Sequence, residues 1–253
     1  MKGYSATMKA RATWEGFQRI DFIYEGREAV LVLPKQEDPK GKWMLKTEYF
    51  GAFPRLEIEL LERGYYLAYL KNKSRWVKED DIEAKASFIK HVSEKYSLSK
   101  KCIPIGMSCG GMHAIYLASR HPELIAAVYA DAPVVNLLSC PFAIGRPGCD
   151  GMAAEFTDHK GLTLRDMLSF RDHPLDEAPA MASAGVPLVL VSGDSDKTVP
   201  YEENGAVLER IYKEAGAPLL TIIKKGGDHH PHGLEDNTRI IEFIERYYNQ
   251  DQS

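Results

Sequence analysis

Gly106-Met107-Ser108-Cys109-Gly110 sets a serine between two glycines at the spacing G-x-S-x-G. A chain that turns sharply from strand into helix at Ser108 holds that residue in a strained conformation and lifts its hydroxyl clear of the sheet. The residues two before and two after must be small, because larger side chains would collide across the turn. Ile103 and Ile105 supply an apolar strand before the turn, and a helix-forming run follows it. The N-terminus of that helix brings amide N–H groups and partial positive charge beneath the hydroxyl. The Cys109 amide is thus a candidate oxyanion donor. Without chemistry, the same motif is a Gly/Ser turn that packs a helix closely on a sheet.

A serine nucleophile needs a base, and the base needs an acid to hold its tautomer. Leu188–Pro200 reads as a buried strand ending at Gly193, then a loop with Asp194 and Asp196. Asp196, placed just before Lys197-Thr198-Val199-Pro200, is the preferred acid. Asp194 reads as a turn former bonded to local backbone, and Asp131, after the next strand, is a third candidate. Gly226-Gly227-Asp228-His229-His230-Pro231-His232 follows the last strand. Its glycine pair lets the loop swing an imidazole toward Ser108, with His229 as the base and His230 second. Three imidazoles so close are awkward around one zinc, and no Cys or Glu pattern completes a site. No metal or cofactor is therefore expected. His159 and His173 are candidates to line the pocket, and His91, His113 and His121 read as surface or core.

The elements that must position these residues alternate along the chain in an α/β pattern. Strands are predicted at Phe17–Tyr24, Ala29–Leu33, Trp43–Phe50, Tyr65–Leu70, Cys102–Met107, Leu124–Ala130, Pro187–Val191 and Leu219–Ile223. Helices are predicted at Leu56–Arg63, Asp80–Lys95, Gly110–Arg120, Asn204–Ala215 and Arg239–Asn249. In the second of these, Ile82, Ala86, Phe88, Ile89 and Val92 mark a buried stripe. From Asn136 to Phe170 the rhythm fails in a stretch rich in Gly, Pro, Cys and Asp. A segment that long without regular structure reads as a functional insertion. The expectation is one domain over residues 1–253, with a cap at 136–182 whose Phe142, Met152, Phe156 and Met167 shape the pocket.

At 253 residues, 44% hydrophobic and 27% charged, the chain can bury a large core without disulfides or metals. A net charge of -4 and a pI near 6.1 argue against nucleic acid or an anionic membrane as partner. No apolar run is long enough to span a membrane, and residues 1–17 lack the apolar core of a secretory signal. The expected compartment is the cytoplasm, with Cys102, Cys109, Cys140 and Cys149 reduced; in an exported protein, Cys140 and Cys149 would be placed to bridge their own loop.

Taken together, Gly106–Gly110, Gly193-x-x-Asp196-x-x-Val199-Pro200 and Gly227-x-His229 resemble the α/β-hydrolase superfamily over nearly the whole chain. The resemblance is to single-domain esterases and prolyl-oligopeptidase-like hydrolases. His229-His230-Pro231-His232 resembles a bacterial subgroup associated with carbohydrate esters. The resemblance implies a mostly parallel sheet flanked by helices, and hydrolysis through an acyl-enzyme. A small carboxylic ester, of a short acyl group or a sugar, is the expected substrate. The alternatives are a peptidase or amidase of the same fold, and a non-catalytic ligand-binding homologue. Within these 253 residues no β-propeller is expected to sieve peptides, which favours the ester. Where the superfamily commonly has a His-Gly pair, Lys46-Thr47-Glu48-Tyr49-Phe50-Gly51 stands instead. The second oxyanion donor is then the amide of Tyr49 or Glu48, and the Glu48 carboxylate is a candidate for binding a substrate hydroxyl. Dienelactone hydrolases share the fold but use a cysteine nucleophile; here Cys109 falls one place too late.

Overall fold

The computed structural model describes residues 12–146 and 150–250. Strands β1 (Ala12–Trp14), β2 (Phe17–Tyr24) and β3 (Arg27–Leu33) open it as an antiparallel meander. Then come β4 (Trp43–Lys46), helix α1 (Arg55–Glu62), β5 (Tyr66–Leu70) and α2 (Glu79–Tyr96). Next are β6 (Ile103–Met107), α3 (Cys109–Arg120) and β7 (Val128–Asp131). Helices α4 (Asp150–Lys160), α5 (Leu164–Met167) and α6 (Pro174–Ser183) lie between β7 and β8 (Leu188–Gly193). Helix α7 (Gly205–Ala215), strand β9 (Leu219–Lys224) and helix α8 (Thr238–Gln250) follow.

The strands form one sheet in the order β1-β2-β3-β5-β4-β6-β7-β8-β9. Strand β3 meets β5 antiparallel, and every pairing from β5 to β9 is parallel. Parallel neighbours need crossovers, and here the crossovers are helices that cover both faces. Strand alternation divides the core accordingly. Leu188 and Leu190 of β8 pack with Phe88 and Ile89 of α2, Ile115 of α3 and Leu208 of α7. Val189 and Val191 pack on the other face with Leu60 and Leu61 of α1 and Ile240 and Ile244 of α8. With both faces dry, β6 and β8 are buried throughout, which is why they read as short unbroken apolar runs.

Two predicted strands are shorter than expected, and helices appear where none were predicted. The strand expected over Trp43–Phe50 ends at Lys46, because the chain peels from the sheet into a turn with Tyr49 at φ 55°. The strand expected from Leu124 begins at Val128, after a 3₁₀ turn at Pro122–Leu124. The stretch expected to lack regular structure contains α4 and α5. Each hides one large apolar side chain almost completely, Phe156 and Met167 respectively, and a single anchor leaves no period to read. Phe156 sits edge-on to Trp76 and Phe142 at centroid distances of 5.5 and 5.4 Å, so α4 is packed onto the body. Cys149 lies outside the described residues. No helix among the described residues is long and apolar enough to cross a membrane.

Candidate active site

The parallel strands point their carboxyl ends to one edge, where α/β sheets bind ligands. Thr47–Tyr49 after β4, Ser108 after β6, Asp131 at the end of β7, Asp196 after β8 and His229 after β9 converge there.

Ser108 adopts φ 54° and ψ -121°, a conformation unusual for a residue with a side chain. The surroundings hold it: its N–H donates to the Asp131 carbonyl (2.9 Å), and its carbonyl accepts from Val134 N (3.1 Å). The turn is tight enough that a Cβ on Gly106 would stand 2.2 Å from the Gly110 oxygen. The Cys109 side chain is buried, and burial pushes its thiol up to about 11, so it is a poor competitor as a nucleophile.

His229 joins the serine to the acid. Its Nδ1 donates to Asp196 Oδ2 (2.7 Å), which leaves Nε2 to accept from Ser108 Oγ (3.1 Å). Asp196 is buried, and its Oδ1 accepts the amides of Thr198 and Val199, both at 2.8 Å. Asp228 Oδ1 accepts the amides of His229 (2.8 Å) and Lys197 (3.2 Å), pinning base loop to acid loop. Asp194 takes Gly226 N at 2.7 Å and so also joins these two loops. Where they cross, a Cβ on Gly193 would lie 2.1 Å from the Gly227 oxygen, so backbone meets backbone with no room for a side chain.

Asp131 serves a different histidine. It accepts Gly233 N at 2.6 Å and lies 3.4 Å from Lys224 Nζ and 3.3 Å from His232 Nδ1. The last approach is an ion-pair distance, but Nδ1 has no well-aligned acceptor. Burial works against the Asp131 charge, and His232, Lys224 and the Gly233 amide outweigh it, holding its pKa below the usual aspartate value.

The candidate second oxyanion donor, the Tyr49 amide, donates to Glu48 Oε1 at 3.2 Å. Behind it runs a polar chain that leads from the half-buried Glu48 and Asn72 to the buried Lys85 and His113. Asn72 Nδ2 donates to the other Glu48 oxygen and to the Thr47 carbonyl (2.7 Å), and Asn72 Oδ1 accepts from Lys85 Nζ. Lys85 Nζ stands 3.4 Å from His113 Nδ1, whose Nε2 faces the Ser74 carbonyl at 3.2 Å. Burial lowers the Lys85 pKa to about 8.

A cavity of about 340 Å³ opens over Ser108 and His229, lined also by Tyr49, Phe53, Arg75, Met152, His230 and His232. Arg75 reaches α4 in a two-pronged pair with Glu155, its Nε donating to Oε1 at 2.9 Å. Glu48 and Phe142 are not among the lining residues, since Glu48 is turned to Asn72 and Phe142 packs on Phe156. His173 takes the Leu137 amide at 3.1 Å and His159 is exposed; neither lines the cavity. His230 lines it, and burial, then His232 and His229, lower its pKa. Sequence reasoning missed Arg75 and Phe53, whose loops carry no motif, and Thr198, a variable position inside the acid-loop motif.

The sequence profile of the prolyl oligopeptidase family matches residues 62–251, three quarters of the chain. The chain belongs to the prolyl oligopeptidase family. Solved structures agree on the fold. An acylaminoacyl peptidase of Pyrococcus horikoshii superposes with a TM-score of 0.68 at 14% identity, over 98% of this chain and 42% of its own. A puromycin hydrolase variant does so with a TM-score of 0.63 at 17% identity, over 97% of this chain and 39% of its own. This chain thus spans less than half the length of either. The architecture is the α/β-hydrolase fold, and family membership supports a serine hydrolase.

Proposed function

We propose that the protein is a serine hydrolase that cleaves a peptide or amide bond through an acyl-enzyme on Ser108. The hydrogen-bonded line Ser108–His229–Asp196 carries this reading. His229 Nε2 takes the Ser108 proton as Oγ attacks the carbonyl, and Asp196 holds the imidazole in the required tautomer and stabilises the imidazolium. The oxyanion takes the Cys109 amide and the Tyr49 amide, the latter exchanging Glu48 for the developing charge. His229 then protonates the leaving amine, and a water activated by the same imidazole releases the acyl group. Residues 136–182 act as a cap, with Met152 of α4 forming part of the substrate wall.

Family membership and the acylaminoacyl peptidase likeness favour the amide over the ester expected from sequence. The carboxylic ester stands as the second reading, because the imidazole-rich loop that suggested it lines the cavity. A fluorophosphonate probe should label Ser108 alone, and Ser108→Ala should lower turnover by roughly five to six orders of magnitude. Labelling elsewhere, or an unchanged rate in Ser108→Ala, would overturn the nucleophile assignment. Comparing kcat/KM for aminoacyl anilides and short acyl esters decides the bond. A much larger value for esters would replace the first reading by the second.

A further inference from the structure

The triad uses one histidine of His229-His230-Pro231-His232, and the other two also face the cavity. Their ring centroids stand 4.8 Å apart in all three pairings, each pair set edge to face. One ligating nitrogen from each ring can be chosen so that all three lie within 4.8 Å of one another. We propose that these three imidazoles form a site for a divalent transition-metal ion of the zinc class, and that its occupancy switches the hydrolase off.

Three features beyond proximity carry this. First, His229 Nδ1 is bound to Asp196 and His232 Nδ1 stands beside Asp131, so two of the three rings have a carboxylate behind them. That arrangement orients metal-binding histidines, leaving Nε2 for the ion. Second, Phe53 lies against the cluster, stacked on His230 at 5.8 Å and edge-on to His232 at 5.4 Å, giving it an apolar flank. Third, little movement is needed. Zinc–nitrogen bonds of about 2.0–2.1 Å in a tetrahedron put ligand atoms about 3.3 Å apart. No separation then needs to close by more than roughly 1.5 Å, and the exposed His230 is the ring with most room to move. The closeness that argued against zinc in the sequence is, with the rings edge to face, near the spacing a metal requires.

Inhibition follows from which lone pair the ion takes. His229 Nε2 has one, and in the resting site it accepts the Ser108 hydroxyl. A metal there leaves Ser108 with no base and keeps Nδ1–H on Asp196, so no proton need be lost from His229. This half of the inference rests on the proposed role of His229; the binding half does not.

Binding is read by calorimetry with Zn²⁺ and by the visible absorption of Co²⁺, on the folded wild type, Ser108→Ala, His230→Ala and His232→Gln. One ion should bind per chain. His230→Ala and His232→Gln should each weaken it at least tenfold with melting profiles like the wild type's, and Ser108→Ala should bind at least as tightly as the wild type. Hydrolysis should fall with a midpoint matching the zinc Kd and return with chelator, and His230→Ala should move midpoint and Kd together. Absence of binding, or a wild-type Kd in either histidine variant, would overturn the site. Binding that leaves hydrolysis untouched would overturn the switch alone. A protein without hydrolase activity would refute the proposed function, while the Co²⁺ spectrum still decides the site.

Discussion

Two aspartate–histidine pairs stand side by side at the ends of β7 and β8, and they differ in what they hold. Asp196 gives one oxygen to two backbone amides and the other to His229 Nδ1, leaving the far side of that ring on Ser108. Asp131 spreads its two oxygens over Lys224, Tyr129, the Gly233 amide and a poorly aligned His232. The chemistry of the groups is the same. On the proposed mechanism, what distinguishes base from bystander is how completely the carboxylate is committed to one ring, and whether that ring's other nitrogen meets the serine hydroxyl.

The contrast is sharpest in the rings themselves. His229→Ala should lower turnover by about 10⁶, as loss of a triad member acting in a unit does, whereas His232→Gln should cost less than about tenfold, since no proton passes through it. Steady-state rates on one amide substrate test this, and comparable losses would erase the distinction. The acids come next. Asp196→Asn should reduce kcat by about 10⁴ through the wrong tautomer, with KM little changed. Asp131→Asn should leave kcat within about tenfold and instead lower unfolding free energy by about 3 kcal/mol, because Lys224 keeps a partly buried charge without its partner.

The smallest effect concerns pH. The pKa of Asp131 is held below its unfolded value near 3.8, so its contribution is fully present above that value and is lost as pH falls through the folded pKa. Thermal melts below about pH 4 should therefore show the wild type losing stability faster than Asp131→Asn. Parallel curves would mean that Asp131 is not held in its charged form by these neighbours.

Much of this arrangement was legible because the signals are local. Strands β6 and β8 show as apolar runs, and the loops after β6, β8 and β9 carry small residues where backbones must cross. The residues read from those loops, Ser108, Asp196 and His229, are the ones the fold brings within hydrogen-bond distance. The choice between Asp131 and Asp196 was harder, since both follow strands, and only the third dimension shows which ring each faces. Lys85 is a different case. It lies between Ile82 and Ile89 on the buried face of α2, at i+3 and i+7 spacing, so a charge in that stripe signals an internal partner. The partners, Asn72 and His113, come from a loop and from α3, at distances no period reports. Helices α4 and α5 stayed hidden because each has only one fully buried large apolar residue.

The crossings at Gly106 and Gly193 also bear on how the protein can diverge. Every amino acid one base change away from a glycine codon carries a Cβ, and at these positions that atom would fall 2.2 and 2.1 Å from a carbonyl oxygen. Neither residue has a tolerated neighbour in the genetic code. Ala52 and Met152, which face the same cavity from a loop and from α4, already carry side chains and sit at no such backbone crossing. Mutational drift is thus channelled into the cavity walls, while the crossings that hold Ser108, Asp196 and His229 together are closed to stepwise change.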